Sequence, residues 1–187
     1  MCSSDLMMTE QTTGADRFFA VTGIDDQVRS TWDAALRAAS GPNGSSLAVV
    51  GRDASWTVEV LAGLAELPVT YFPAQLVRDR LGWFATQVTV RGAKATVATS
   101  LARWLRSTAG STGTRVLVLD RVDLVEPDSL QGLRGFLDEA PDSGPTMRTD
   151  ELTHPGLLVV LTMGSFGAPA RTALDGRISS VIELPGG

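Results

Sequence analysis

The chain has 187 residues, 43% hydrophobic and 20% charged, with 19 Gly and 9 Pro, which fits one compact α/β domain with a sizeable core. Its formal charge of −5 works against indiscriminate nucleic-acid binding. One cysteine and one histidine exclude an intramolecular disulfide, a cysteine-rich metal site and a multi-histidine zinc site.

At the start, Cys2-Ser3-Ser4-Asp5-Leu6 reads like the translated end of a sequencing adapter, with the natural start at Met7 or Met8. Residues 1–17 as a whole are polar and expected to be disordered. Ile24 to Ala39 is predicted helical, capped by Asp25 or Asp26, with Val28, Trp32, Ala35 and Leu36 on one face. Gly41 to Ser46 is a break, and Leu47-Ala-Val-Val50 is a short apolar run of the kind found in a buried parallel strand. Asp53 or Ser55 can cap a second helix reaching Leu67, with Val58, Leu61, Ala62 and Ala65 inward and Pro68 as its stop.

Val69 to Phe72 is a second strand, and Pro73 is expected to open a short helix holding Leu76 and Leu81. Gln87 to Val90 reads as a strand or hairpin, and Thr96 to Thr108 as a helix with Val97, Leu101, Trp104 and Leu105 at core spacing. Arg115 to Asp120 is the third strand. A helix from Pro127 places proline at its first position, where the missing N–H is not needed, and Leu130, Leu133, Phe136 and Leu137 form its apolar face. Residues 140–155 read as a polar loop or hairpin. Leu157 to Thr162 is a fourth strand, Pro169 to Leu174 a short helix and Ile178 to Leu184 a fifth strand. Strands alternating with helices, several apolar on both faces, predict an α/β fold with a mainly parallel sheet of about five strands sandwiched by helices. No run approaches the ~20 apolar residues of a membrane span and no signal-peptide core is present, so the expected location is cytoplasmic.

In such sheets ligands sit beyond the carboxyl ends of the strands. Three of those ends read Gly51-Arg-Asp-Ala-Ser-Trp-Thr57, Asp120-Arg-Val-Asp123 and Thr162-Met-Gly164. After the second comes Val125-Glu-Pro-Asp-Ser-Leu130. Further on stand His154-Pro155, Ala173-Leu-Asp-Gly-Arg177 and Val181-Ile-Glu-Leu-Pro185. In order and spacing these resemble the P-loop, Walker B and sensor-1 segments of AAA+ ATPases, and most resemble the dynein-related, MoxR-type branch. The likeness spans roughly residues 24–185, each motif being loose. It implies a P-loop NTPase core over residues 18–187, with work in oligomeric rings that often remodel partner proteins. The family's helical lid has no counterpart before Gly187, which leaves open that the chain is a fragment.

The resemblance also implies where chemistry should be, and the residues depart from it. A P-loop needs glycines so that backbone N–H groups reach phosphate, a Lys for the β/γ charges and a Ser/Thr for Mg²⁺. With Gly51 aligned as the first glycine, Trp56, Thr57 and Val58 stand at the Gly, Lys and Ser/Thr positions, and a one-residue gap brings Thr57 to the hydroxyl position. Arg121 replaces the water-activating Glu and Gly164 the sensor-1 Asn. Asp120 matches the Walker B Asp and is the one candidate Mg²⁺ contact. Arg177 lies near the finger arginine, displaced by Gly176. Lys94, the chain's only lysine, stands in Gly92-Ala-Lys-Ala-Thr96, but lacks a Gly before it and a Ser/Thr after it. Losing Lys, Glu and Asn removes charge stabilisation and water activation from a reaction built on positioning and electrostatics. The expectation is a catalytically dead AAA+-like module with a structural, assembly or regulatory role and no bound cofactor. The alternatives are a divergent ATPase holding ATP and Mg²⁺, and a nucleic-acid accessory.

That last alternative rests on Arg78 to Arg106, which carries a net +5 against the whole chain's −5, leaving −10 elsewhere. Trp83 and Phe84 beside it could stack on bases, though a run of this kind is commonly a solvated face. Simpler readings stand beside the others too. Asp120 and Asp123 could cap the helix that follows, and Arg121 could pair with a neighbouring Asp or lie in solvent. His154 reads as a loop residue. Trp32 and Trp104 read as core, and Trp56 as a plug in the vacated phosphate site. Abundant Arg, Ala, Gly and Val with a single Lys is the composition of a GC-rich bacterial gene.

Overall fold

The computed structural model describes residues 24–74, 83–108, 111–137, 155–174 and 176–185. The expectations for residues 1–17, for Leu76 and Leu81, and for His154 lie outside these residues, as does most of 140–155. The first helix, α1 (Asp26–Ala39), starts where Asp25 accepts the Val28 N–H at 2.8 Å, which satisfies one of the donors a helix start leaves open. It buries Val28, Trp32, Ala35 and Ala39, with Leu36 only partly covered.

Strand β1 (Ser45–Val50) leads through three residues into α2 (Ala54–Leu64). The helix stops earlier than Pro68. Glu66 adopts φ +52°, its N–H reaches the Gly63 carbonyl at 3.1 Å, and the Leu67 N–H reaches Ala62 at 3.0 Å. That pair of bonds is a Schellman closure, which satisfies the last carbonyls without proline, and it leaves Ala65 exposed instead of inward. Strand β2 (Val69–Pro73) includes Pro73, expected to open a helix, as its last residue opposite Asp120. At a sheet edge the missing N–H breaks no ladder.

Strands β3 (Ala85–Val90) and β4 (Ala93–Ala98) form a separate antiparallel hairpin. Its turn residues Arg91 and Gly92 both have positive φ, 52° and 83°, as a tight two-residue turn requires. Thr96 to Ala98, expected to be helical, therefore belong to a strand, and Val97 is exposed. Helix α3 (Ser100–Thr108) begins after Thr99, whose hydroxyl accepts the Ala102 N–H at 3.2 Å and donates to the Trp83 carbonyl at 2.7 Å.

There follow β5 (Arg115–Asp120), a 3₁₀ turn at Val122–Leu124, α4 (Pro127–Leu137), β6 (Leu157–Met163), α5 (Ala168–Leu174) and β7 (Ser180–Glu183). Five strands pair in the order β2-β5-β6-β1-β7, every pair parallel. Alternation along the strands divides the core. Leu47, Val49, Val116, Val118, Leu158 and Val160 face α1 and α2. Ala48, Val50, Leu117, Leu119, Leu161 and Met163 face α3, α4 and α5. No helix among the described residues is long and apolar enough to cross a membrane.

Candidate functional site

Because all five strands run the same way, β1, β5 and β6 deliver their last residues to one edge. Leu119 faces the α4 layer, so Asp120, one residue on, turns toward α2. There its Oδ1 accepts the Ser55 hydroxyl of the first turn of α2 and the Thr162 Oγ1 hydroxyl at 2.7 Å. Thr162 is fully buried at the end of β6, lies 3.3 Å from Ser55 Oγ, and accepts the Arg121 N–H at 3.0 Å. The cluster is one carboxylate, two hydroxyls and one backbone N–H drawn from three elements.

The sequence offers Ser55 as a helix cap or a member of the loop, and Thr57 for the hydroxyl role. The structure puts Thr57 in the core, 3% exposed, on the inward face with Ala54, Val58 and Leu61. Ser55 and Thr162 are the residues that reach Asp120. The helical period carried the signal: if Val58 and Leu61 face inward, Thr57 does too, and Ser55 lies about 100° round from Ala54. Trp56 is 47% exposed and plugs nothing.

Between β1 and α2 only Gly51, Arg52 and Asp53 remain as connection; Ala54 to Thr57 are already helical. Gly51 has φ +144°, and a Cβ there would stand 2.7 Å from the Leu184 Cβ. Its N–H reaches the Met163 carbonyl at 2.8 Å, while the Leu184 N–H reaches Val50 at 2.8 Å. This glycine therefore lets the segment after β7 pack onto the end of β1. From Gly51 to the hydroxyl-bearing Ser55 is four positions, against about seven in a GxxxxGK[ST] loop.

Arg121 holds a left-handed backbone, φ +59° and ψ +52°. Its guanidinium grips Asp123 with two bonds of 3.0 Å, and that bond together with the carboxylate's charge holds the arginine's pKa above its ordinary value. The pair lies over Gly164, where a Cβ would meet Arg121 Nη2 and Asp123 Oδ2 at 3.2 Å each. Arg121, Asp123 and Gly164 are thus in mutual contact. Asp123 bonds Arg121 rather than capping α4, and Asp120 bonds Ser55 and Thr162. Beyond the pair, a cavity of about 310 Å³ opens between α4 and α5, lined by Asp123, Val125, Leu130, Ser165 and Ala170.

Arg177 is not brought to this edge. Its backbone carbonyl accepts the Ser46 hydroxyl at 3.0 Å at the beginning of β1, roughly 16 Å along the strand from Gly51 at 3.3 Å per residue. Lys94 is exposed on the hairpin. Trp83, offered above as a base-stacking residue, is completely buried and its indole N–H donates to the Ser129 carbonyl at 2.8 Å. Phe84 is partly buried against the same core. Among the described residues no group of three or more His, Cys, Asp or Glu side chains converges.

The arrangement has counterparts among solved structures. The Thermotoga maritima RuvB Holliday junction branch migration motor superposes with a TM-score of 0.51 at 13% identity, over 86% of this chain and 45% of that one. The α/β fold, a five-stranded parallel sheet flanked by helices, resembles the core of that structure. A structure of Cdc6p from Pyrobaculum aerophilum matches with a TM-score of 0.49 at 14% identity, over 97% of this chain and 48% of the other. The chain spans less than half the length of either protein. No protein-family model and no curated protein sequence matches it.

Proposed function

We propose that this AAA+-type core is a pseudo-ATPase module, of the MoxR-type branch, that keeps the fold for a structural, assembly or regulatory role without turning over nucleotide. The observation that carries this reading is the three-residue connection Gly51-Arg52-Asp53. A phosphate cradle needs a run of backbone N–H groups ahead of the helix and a Lys within it. Here the helix begins too soon, and the residue before the crevice hydroxyl of Ser55 is Ala54, 2% exposed. A triphosphate does not fit that donor set.

The other edge supports the same reading. Where a hydrolase presents a carboxylate to water, Arg121 presents a cation already held by Asp123. The positioning and charge stabilisation on which phosphoryl transfer depends are missing on both sides of Asp120. The branch assignment is supported by Glu126-Pro127 opening α4 directly after the strand and its 3₁₀ turn.

One observation favours a second reading, a divergent nucleotide-binding protein. Ser55, Asp120 and Thr162 still form a compact set of oxygen ligands of the type Mg²⁺ accepts. Titration calorimetry with ATP·Mg²⁺ decides between them. The pseudo-ATPase reading expects neither turnover nor micromolar binding. Binding lost in Asp120→Ala selects the second reading, and turnover abolished by that substitution overturns the first outright. The nucleic-acid reading retains only its charge, since the aromatics that supported it lie in or against the core.

A further inference from the structure

The five-stranded sheet has two open edges, β2 and β7, and they are not equivalent. At β2 the Val116 N–H reaches the Pro68 carbonyl at 3.0 Å, and the register sets Val69 beside Val116. Thr70 and Phe72 therefore turn their backbone groups toward β5. By the alternation of a strand, Val69 and Tyr71 turn N–H and C=O outward, and Pro73 adds a carbonyl. This row has no partner strand among the described residues. Edge strands are commonly blunted by charge, proline, a bulge or a cover. Pro73 blunts only the last position, Val69 to Phe72 carries no charge, and Tyr71 and Pro73 are exposed.

The flank of this row is aromatic and acidic. Tyr71 shares the strand face of Val69, which packs on the α1–α2 side of the core, and is 42% exposed. Glu59 of α2 lies close enough for its charge to raise the phenol's pKa. Trp56, 47% exposed, precedes Glu59 by three residues and so neighbours it on the helix surface. Glu66 is exposed in the turn that leads to β2. Residues 53–74 hold three carboxylates, Asp53, Glu59 and Glu66, and no Lys, Arg or His. None of the three has an ion-pair partner among the described residues; the nearest cation in sequence is Arg52, ahead of α2. At β7, by contrast, Arg171 stands 3.7 Å from Glu183, and Arg29 3.8 Å from Asp26 of the adjoining α1. There the chain supplies its own cations. Beside β2 it supplies none.

We propose that the β2 edge is a docking site for an extended, arginine- or lysine-rich segment of a partner protein, which adds to the sheet as a further strand. The segment's backbone pairs with the outward groups of Val69, Tyr71 and Pro73. Its alternate side chains set cations against Glu59 and Glu66 and over the Tyr71 ring. The five residues of β2 offer about 16 Å of ladder. Two copies of this chain paired edge to edge would bring the Glu59 and Glu66 pairs of both to one seam, which is disfavoured. The contact uses no group of the Asp120 cluster and is independent of nucleotide.

The probe is a fluorescein-labelled peptide of eight residues, alternating Arg and Val, titrated into the full chain and followed by polarisation. Binding is expected, weakening as salt rises, with new hydrogen-exchange protection at the Val69 and Tyr71 amides. Glu59→Lys should weaken it by about tenfold and Glu66→Lys by less, while a Glu-Val peptide should not bind. Two N-methylated forms of the Arg-Val peptide, one for each set of alternate amides, keep the charge and test the ladder. The set that faces β2 should abolish binding and the other should not. Any of four results overturns the proposal: neither methylated set weakens binding, Glu59→Lys binds as tightly as the parent, protection falls on Val181 and Glu183 instead, or Val69 and Tyr71 become protected on concentrating the protein without peptide. Exchange and methylation are read on the parent chain, so the test holds even where a variant fails to fold.

Discussion

Strands β5 and β6 and the β3–β4 hairpin are built from similar residues and have opposite fates. Val116 to Leu119 and Leu157 to Leu161 are 6% exposed or less, paired on both edges and covered on both faces. Val90 and Val97 have the same chemistry, one paired edge and no cover. The hairpin is held at its base, where buried Trp83 bonds Ser129 and Thr99 bonds Trp83. Apolar character in a strand therefore does not by itself state that the chain covers it.

The sharpest way to break that comparison is to reduce the apolar character of each region in turn. Leu161→Ala, at 0% exposure in the central strand, should cost about 2–5 kcal/mol in urea unfolding. Val90→Thr should change the isolated molecule's stability by less than about 0.5 kcal/mol. Equal losses would mean that the hairpin is packed in solution as tightly as the sheet. A rise in the urea midpoint with protein concentration, lost in Val90→Thr, would instead tie the hairpin's cover to association.

Between these extremes lies the Asp120 cluster. Asp120→Ala leaves the buried Thr162 hydroxyl and the Ser55 hydroxyl without their shared acceptor, a loss of about 1–3 kcal/mol. Asp120→Asn keeps an acceptor oxygen and should cost less. If the carboxylate is there to hold the site together, stability follows this order with or without Mg²⁺. Protection by Mg²⁺ that vanishes in Asp120→Asn would mark a metal site instead. Arg121→Ala is a milder probe. With 44% of its side chain exposed, its ion pair with Asp123 should be worth about 1 kcal/mol or less, declining with added salt.

The sequence disclosed the layers because they are written in short, regular signals. Apolar runs ending at Val50, Asp120 and Thr162 marked the sheet, and Asp25 and Pro127 marked helix starts. The site was harder because its decisive feature is a length. Counted from Gly51, Thr57 is the expected hydroxyl residue, whereas the three-residue connection brings Ser55 to Asp120. Single residue identities do not display where the helix begins; the inward period of Ala54, Val58 and Leu61 does. Likewise Thr96 to Ala98 have helix-compatible residues, but the alternation from Ala93 through Val97, after the left-handed Arg91-Gly92 turn, favours a strand. The burial of Trp83 is hidden for another reason: nothing local tells a buried aromatic from a stacking one, since its partner Ser129 lies 46 residues away.

The smallest effect reads the crevice edge without any ligand. Tyr71, the only tyrosine of the chain, stands on edge strand β2, and its phenol is held above its ordinary 10.0, first by partial burial, then by the charges of Glu59 and Asp120. The folded state thus prefers the neutral phenol. Its contribution to stability is complete below pH 10.0, where neither state ionises, and declines as the unfolded phenol ionises and pH rises through the raised folded value. With a single tyrosine, phenolate absorbance reports this group alone. Glu59→Gln and Asp120→Asn should each move the titration part of the way down, Glu59→Gln further, and neither should abolish the shift because burial remains. An unshifted phenol in the folded protein would place Tyr71 in open solvent and separate β2 from the α2 edge that carries Ser55. A shift that ignores both carboxylates would leave burial as the sole cause and put Asp120 farther from β2 than its register opposite Pro73 allows.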